Sequence, residues 1–422
     1  MSKEPLRICL LSYRGNPRSG GQGIYLRHLS RALASLGHEV HVWSGQPYPE
    51  LDDGVHFDPL PSLDLWNEEA FFRIPRPSEL TDPINVFEWL ATITGGFPEP
   101  RTFCWRALRR YRRLPPEGRF DVVHDNQSLG TGLLELRKLV PVVATIHHPI
   151  TVDYRLGLRA ERSWKKRWGL RRWYTFIPMQ KRVARVLDRI VTVSETSARD
   201  IAREFGLRPE RLRVVPCGVD LDLFRPLPGI PRRGDRIITT VSHDAPLKGM
   251  AFLLEAFAEL LRERPGLSLT VIGGRNGDSP TAKKVRELGL DGSVRLTGRV
   301  ATEEIVRLYA ESTVAVVPSL YEGFGLPAAE AMACEVPVVS SDAGALPEVV
   351  GRDGSSALLV PPGDPRSLKE AISALLDAPE RRAEMGAAGR KRVETLFSWR
   401  RAAELCVEIY REAIEERRAL GC

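Results

Sequence analysis

Short apolar runs alternate with stretches of helical apolar spacing along most of the chain. Runs at 6–12, 39–43, 121–124, 142–146 and 189–193, and again at 237–241, 267–272, 294–296, 314–317 and 336–339, have the length and composition of buried parallel strands. Between them, Ile24, Leu26, Leu29, Leu33 and Leu36 recur at helical spacing, as do Leu253, Leu254, Phe257 and Leu260. A strand, a loop, a helix and another strand in repeated succession predict an α/β chain built from doubly wound parallel sheets. A helix is expected around 129–139 and a last one from 399 to about 418. Residues 45–119, rich in proline, acidic and aromatic side chains, show few clean periods and no motif.

At 422 residues the chain is long for one core, and two domains of about 200 residues each are expected. The stretch 226–233 carries three prolines and reads as the linker, which limits its freedom. No run reaches the roughly 18 apolar residues of a membrane span. The apolar core at the start is too short for a secretory signal. Six cysteines lie without C-x-x-C spacing, so neither a zinc site nor a disulfide framework is indicated, and a reducing cytoplasm is expected.

Charge sharpens one region. The formal net charge of +7 is uneven: residues 1–230 hold 35 Lys+Arg against 26 Asp+Glu, and 155–189 alone hold 12 against 2. This is a local patch rather than the overall bias of a nucleic-acid-binding protein. It includes Trp164, Lys165, Lys166, Trp168, Arg171, Arg172 and Trp173. Trp164 and Trp168 share a helical face, whereas Trp173 points roughly opposite, so the stripe is not clean. An anionic membrane surface or a lipid-linked acceptor suits such a patch, as does a solvated helix with its aromatics packed on the domain.

The densest chemistry is at 318–347, P-S-L-Y-E-G-F-G-L-P-A-A-E-A-M-A-C-E-V-P-V-V-S-S-D-A-G-A-L-P. After an apolar strand, Gly323 and Gly325 let bare backbone approach a ligand, and Pro327 stands where a helix begins. The freed amides and dipole of that helix start suit a phosphate. Glu322 and Glu330 bracket the turn, and a carboxylate accepts paired hydrogen bonds from vicinal hydroxyls.

This stretch resembles the E-x7-E signature of retaining, nucleotide-sugar-dependent glycosyltransferases of family 4. The resemblance runs over nearly the whole chain. It implies the GT-B fold, with two facing Rossmann-like domains at 1–226 (acceptor side) and 227–396 (nucleotide-sugar side), the cleft between them, and a C-terminal helix at 397–422 crossing back. Gly20 and Gly21 match the family's Gly-Gly pair over the donor diphosphate. Thr145, Ile146 and His147 match its T-x-H, whose histidine approaches the transferred sugar, with His148 a neighbour. Lys248 and Gly249 match the K-G of V-G-R-L-x-x-x-K-G, but Ser242 and His243 replace its Gly and Arg. Half the cationic clamp on the diphosphate is therefore altered, and Arg14, Arg18 and Arg275 are candidates to compensate. Cys217 stands where the family's closing motif has Asn, and Arg299 and Val300 match its base pocket.

What the resemblance implies is transfer of a hexosyl group from a UDP- or GDP-sugar to a hydroxyl acceptor, a lipid, a glycan or a small molecule, with retention. Lys248, the amides of Gly20, Gly21, Gly323, Phe324, Gly325 and Leu326, and the helix start would stabilise the departing diphosphate. Glu322 would hold sugar hydroxyls, Glu330 the ribose diol and His147 the sugar's far side. No D-x-D motif stands in a metal-binding context, so no metal or other cofactor is expected, and no nucleic-acid partner. The expected location is cytoplasmic or peripheral on the inner face of the membrane. Two other readings stay open: a catalytically impaired protein that binds sugar nucleotide or membrane, and a sugar-nucleotide epimerase of the same fold.

Overall fold

A computed structural model describes residues 4–16, 21–65, 72–241, 245–273, 277 and 279–419. Contacts divide the chain into two compact units, Met1–Val193 with Ala198–Val215 and Arg400–Cys422, and Ser194–Ser197 with Pro216–Trp399.

In the first unit, among the described residues, seven strands form one sheet: β1 (Arg7–Ser12), β2 (Glu39–Ser44), β3 (Val55–Pro59), β4 (Val122–Asn126), β5 (Val142–Thr145), β6 (Arg189–Thr192) and β7 (Leu212–Val214). Their order is β3-β2-β1-β4-β5-β6-β7, with every pairing parallel. Strands β1, β4 and β5 are buried along almost their whole length, as apolar runs without alternation predict. The second unit repeats the plan with β8 (Arg236–Thr240), β9 (Ser268–Ile272), β10 (Val294–Gly298), β11 (Val314–Val317), β12 (Val338–Ser341) and β13 (Ala357–Val360). The order there is β10-β9-β8-β11-β12-β13, again all parallel. Both are doubly wound α/β sheets, so the ligand-binding crevice of each is expected at the carboxyl ends of the strands beside the point where the order reverses. That point is β1/β4 in one unit and β8/β11 in the other.

Three regions depart from the pattern-based expectation or supply what it lacked. The helix expected around 129–139 covers only Gly132–Leu136. The reason is a turn in which Gln127 (φ 60°) and Leu129 (φ 48°) take left-handed backbone, held by the buried Asp125 carboxylate accepting from Leu129 N at 2.9 Å. Gly130 and Gly132 then pass so close to the helix Glu99–Tyr111 that a Cβ would stand 2.4 Å from Pro100 O or 2.3 Å from Cys104 O.

The unreadable zone 45–119 contains the edge strand β3 and the helices Pro83–Ile93 and Glu99–Tyr111. Its organising contact is polar: Arg106 meets Glu88 at 2.6 Å with both side chains buried, and Thr102 Oγ1 and Leu63 N also donate to that carboxylate. No apolar period announces such a contact.

The second unit takes Pro216–Trp399, starting before the expected boundary at 226. Val219 N donates to Phe397 O at 2.9 Å, Arg390 Nη1 donates to Phe224 O at 2.8 Å, and a Cβ on Gly218 would lie 2.2 Å from Trp399 N. The last helix, Trp399–Ala419, buries Tyr410 in the first unit.

Candidate active site

In the first unit the chain after β1 enters the helix Gly21–Ser35, three residues earlier than Ile24, where the apolar spacing begins. A Cβ on Gly23 would meet Asn16 O at 1.9 Å, so Asn16 lies directly on the helix's first turn. Gly21 has nothing within 4 Å of where a Cβ would stand, which leaves its backbone open. Gly20 and Arg18 lie outside the described residues. Arg14 is committed elsewhere: its guanidinium grips Glu99 through two hydrogen bonds, at 2.5 and 2.7 Å.

His147 follows β5. Its Nε2 is 2.7 Å from Asn126 Oδ1, and its backbone N–H donates to Gln127 Oε1 at 2.8 Å. Because Asn126 Nδ2 donates to Gln22 O, the amide presents oxygen to the imidazole, which places the proton on Nε2. Tyr25 meets the ring edge to face at 4.7 Å. Burial, with His148 and His124 adding to it, drives the pKa of His147 down to about 3, so the ring is neutral. Beneath it, His124 is fully buried between Thr145 Oγ1 (2.6 Å) and Tyr410 OH (2.5 Å), and burial lowers its pKa to about 3 as well. His148 is turned away onto Asp153, 2.6 Å from its Nε2.

In the second unit the loops after β8 and β11 touch backbone to backbone. Gly249 has φ +67°, and a Cβ there would stand 1.9 Å from Pro318 O; Leu320 N donates to Leu247 O at 2.7 Å. This contact delivers Lys248 to Glu322, with Nζ 2.7 Å from Oε1 and both side chains largely buried. Ser319 Oγ donates to the same oxygen at 2.7 Å. Oε2 accepts no hydrogen bond among the described residues, so one face of the carboxylate stays available. The Glu322 carbonyl is fixed from behind by Ala345 N at 2.9 Å, and Gly344 is the one residue that fits there, since a Cβ would be 2.3 Å from that oxygen.

Gly325, at φ +109°, turns the chain into the helix Leu326–Ala333, with Pro327 in its first turn. Glu330 lies one turn in. Its carboxylate makes no hydrogen bond among the described residues, and desolvation raises its pKa to about 7. Tyr309 supports the helix start, its hydroxyl 2.9 Å from Thr240 Oγ1 and 3.3 Å from Pro327 O. Arg299 and Val300 follow β10, the first exposed and the second half-buried. Ser242, His243 and Arg275 lie outside the described residues.

The basic patch separates into two parts. On the helix Trp164–Trp173, Trp164 and Trp168 are 73% and 61% exposed, and Lys165 lies over the Trp164 ring at 5.8 Å. Lys166 and Arg171 are exposed with them. Trp173 instead stacks on Phe97 at 4.7 Å, and Arg172 donates to Thr94 O and Oγ1. No helix among the described residues is long and apolar enough to cross a membrane.

Comparison with known proteins decides the family. The model described as Glycosyltransferase Family 4 matches residues 19–223, and the one described as Glycosyl transferases group 1 matches 229–392. The chain is 51% identical to the MMP alpha-(1->4)-mannosyltransferase of Mycolicibacterium hassiacum, over 97% of this chain and 98% of that one. The chain belongs to glycosyltransferase family 4. It is 38% identical to the D-inositol 3-phosphate glycosyltransferase of Kineococcus radiotolerans, covering 98% and 97% of the two chains. Among solved structures, the sucrose-phosphate synthase of Thermosynechococcus elongatus superposes with a TM-score of 0.75 at 26% identity, covering 97% and 99%. The chain is thus a glycosyltransferase, closely related to an α-1,4-mannosyltransferase, with the two parallel α/β domains of its GT-B relatives.

In this family 4 chain, the family motif names His147, Lys248, Glu322 and Glu330 but not the residues that hold them. Asn126 and Gln127, which orient His147, and Ser319, which anchors Glu322, were not singled out from the sequence. Only position could have found them, since all three stand within two residues beyond a strand's carboxyl end or at it.

Proposed function

We propose that this protein transfers a hexosyl unit, in the first instance mannosyl, from a nucleoside diphosphate sugar to a hydroxyl of a glycan or lipid-linked acceptor, with retention of configuration and without a metal ion. The relative that shares half its residues is named a mannosyltransferase, which favours that sugar. The observation that carries the reading is the Lys248–Glu322 pair, held at the carboxyl ends of β8 and β11 beside an open helix start.

Breaking the bond between sugar and diphosphate leaves negative charge on the departing phosphate and positive charge on the sugar, so fixed positive groups at the phosphate lower the barrier most. Lys248 supplies a full charge for the diphosphate, and the helix start after Gly325 supplies backbone amides and its dipole. The free Oε2 of Glu322 accepts from a sugar hydroxyl, while Lys248 and Ser319 fix the other oxygen. Glu330 accepts from the ribose diol, and the polar hydrogen bonds gained there favour its ionised form. Arg299 and Val300 flank the base; in the first unit, Gly21 gives open backbone and neutral His147 offers a hydrogen bond to a sugar hydroxyl. The second unit serves the donor and the first the acceptor. Among the described residues, neither unit presents a spare carboxylate suited to act as nucleophile, which favours attack from the face the diphosphate leaves, with a phosphate oxygen taking the acceptor's proton.

The test is an assay of GDP-mannose, UDP-glucose and ADP-glucose with and without EDTA, with the product's anomeric configuration read by NMR. One donor should be consumed equally in both conditions and yield product of the donor's configuration. Glu322→Ala should depress turnover more than nucleotide binding. An inverted product, loss of activity in EDTA, or equal loss of turnover and binding would overturn the corresponding part.

A further inference from the structure

Away from the site just described, Glu39, His41 and His56 converge on the surface of the first unit. Glu39 and His41 are two apart on β2 and so point to the same face, and His56 on β3 is the register partner of His41. The two imidazoles stack at 4.6 Å with 23° between planes. The candidate donor atoms of the three residues all lie within 4.8 Å of one another.

We propose that these residues form a zinc site that ties the edge strand to the sheet. Two imidazoles and a carboxylate are the nitrogen and oxygen donors that zinc takes in sites with three protein ligands, the fourth position being left to water. His41 Nε2 faces Glu39 Oε1 at 2.8 Å, the place where a cation would take over the role of the shared proton. Its other nitrogen, Nδ1, faces Asp58 Oδ2 at 3.4 Å, the carboxylate–histidine arrangement that fixes a metal-bound ring. Asp58 is itself anchored, by Trp43 Nε1 at 3.2 Å and by Arg110.

Arg7 Nε occupies Glu39 Oε1 at 2.8 Å, but Oε2 accepts no hydrogen bond among the described residues. Neither nitrogen of His56 has a hydrogen bond among them, and His56 and Glu39 are exposed, so both can close on an ion. Strand β3 lies at one edge of the sheet, paired only with β2, so a bridge between His41 and His56 adds a second tie to an edge strand. The cluster lies toward the amino ends of β2 and β3. The loops that carry His147 and Gly21 follow the carboxyl ends, so this site is independent of sugar transfer.

The experiment is calorimetric titration of untagged, chelator-stripped full-length protein with zinc chloride, paired with thermal melting with and without zinc. The expected result is one zinc per chain and a Tm raised by the metal, as binding to the folded state alone requires. His41→Ala and His56→Ala should each weaken binding by more than about tenfold. Asp58→Asn, which removes the supporting carboxylate along with its ion pair to Arg110, should weaken it by roughly 10- to 100-fold. His56 is exposed, so the metal-free Tm of His56→Ala should match wild type, which separates lost ligation from lost folding. Failure of the wild type to take up zinc stoichiometrically would overturn the proposal, as would uptake or a zinc-induced Tm rise that both histidine variants retain.

Discussion

The two sheets share one strand order, yet the sites at their carboxyl edges are built from opposite materials. In the first unit the candidate group is His147, kept neutral by burial and held by uncharged amides, Asn126 and Gln127. In the second, the corresponding edge carries Lys248 against Glu322, a charged pair held by backbone contact between two loops. Buried charge survives only where geometry is tight, because an unpaired partner is left desolvated. The first unit therefore offers hydrogen bonds, while the second concentrates charge, which under the proposed mechanism faces the departing diphosphate.

Removing the charge should have the largest effect. Lys248→Met takes away the cation and leaves the Glu322 carboxylate with Ser319 alone. Under the proposed mechanism, turnover should fall by about 10²–10³-fold, the cost of losing one transition-state donor. His147→Asn keeps a neutral hydrogen-bonding group and should cost less. Steady-state kinetics of the two variants with the same donor would reverse the assignment if His147→Asn proved the more damaging.

The scaffolds under the two sites can be broken separately. Gly249→Ala places a methyl 1.9 Å from Pro318 O at a left-handed φ. The backbone strain alone costs about 1–3 kcal/mol, and the clash adds to it. Gly21→Ala meets nothing within 4 Å, and alanine in a helix is favoured by up to about 1 kcal/mol over glycine. Urea denaturation should show a clear loss for the first and none for the second.

These glycines show what the sequence made legible and why the rest was hidden. Strand positions were readable because buried parallel strands are continuous apolar runs: 314–317 coincides with β11, and 142–146 differs from β5 by one residue. Glu322, Glu330, Lys248 and His147 were readable because a family motif names them, and the structure brings Lys248 onto Glu322. What escaped were contacts with no periodicity. The Asp125 turn shortened the expected helix at 129–139, and Glu88 with Arg106 organises a stretch that gave no pattern. The cationic compensation for which Arg14 was one of three candidates also could not be judged from spacing, since its partner Glu99 is 85 residues away. Likewise Trp173 shares a charged segment with Trp168, but its stacking on Phe97 depends on a distant helix start.

The opposite construction of the sites also gives them opposite responses to pH. His124 and His147 stay neutral down to about 3 in the folded chain, whereas an unfolded histidine takes its proton near 6.5. Over that window the unfolded state binds more protons, so these residues make stability fall as pH falls. Asp125, raised to about 6 by burial, offsets part of this below that pH. Glu330 works the other way: its folded pKa of about 7 exceeds the ordinary 4.5, so its contribution is lost as pH rises from about 4.5 to 7. Denaturation curves at pH 4.5, 6 and 7.5 should show Glu330→Gln flattening the loss toward neutral pH. His147→Gln should flatten the loss toward acid. A slope unchanged in either variant would remove that residue from the comparison.

The smallest effect concerns a region outside both sites. Only the outer part of the basic patch is free to meet an anionic surface, since Arg172 is engaged by Thr94 and Trp173 by Phe97. Trp164, Lys165, Lys166, Trp168 and Arg171 remain, with two tryptophans one helical turn apart and three charges beside them. Each basic residue near an anionic bilayer contributes about 1 kcal/mol, screened by salt. Three such charges and two interfacial rings favour reversible attachment, not a permanent anchor. Sedimentation with phosphatidylserine-containing vesicles should therefore be partial, fall with added salt, and disappear when Lys165, Lys166 and Arg171 become glutamine. Arg172→Gln should leave it almost unchanged, because that side chain already serves the fold. If wild type does not sediment at low salt, the patch is a solvated helix face and membrane docking is excluded; if Arg172→Gln matters as much as the triple change, the division of the patch is wrong.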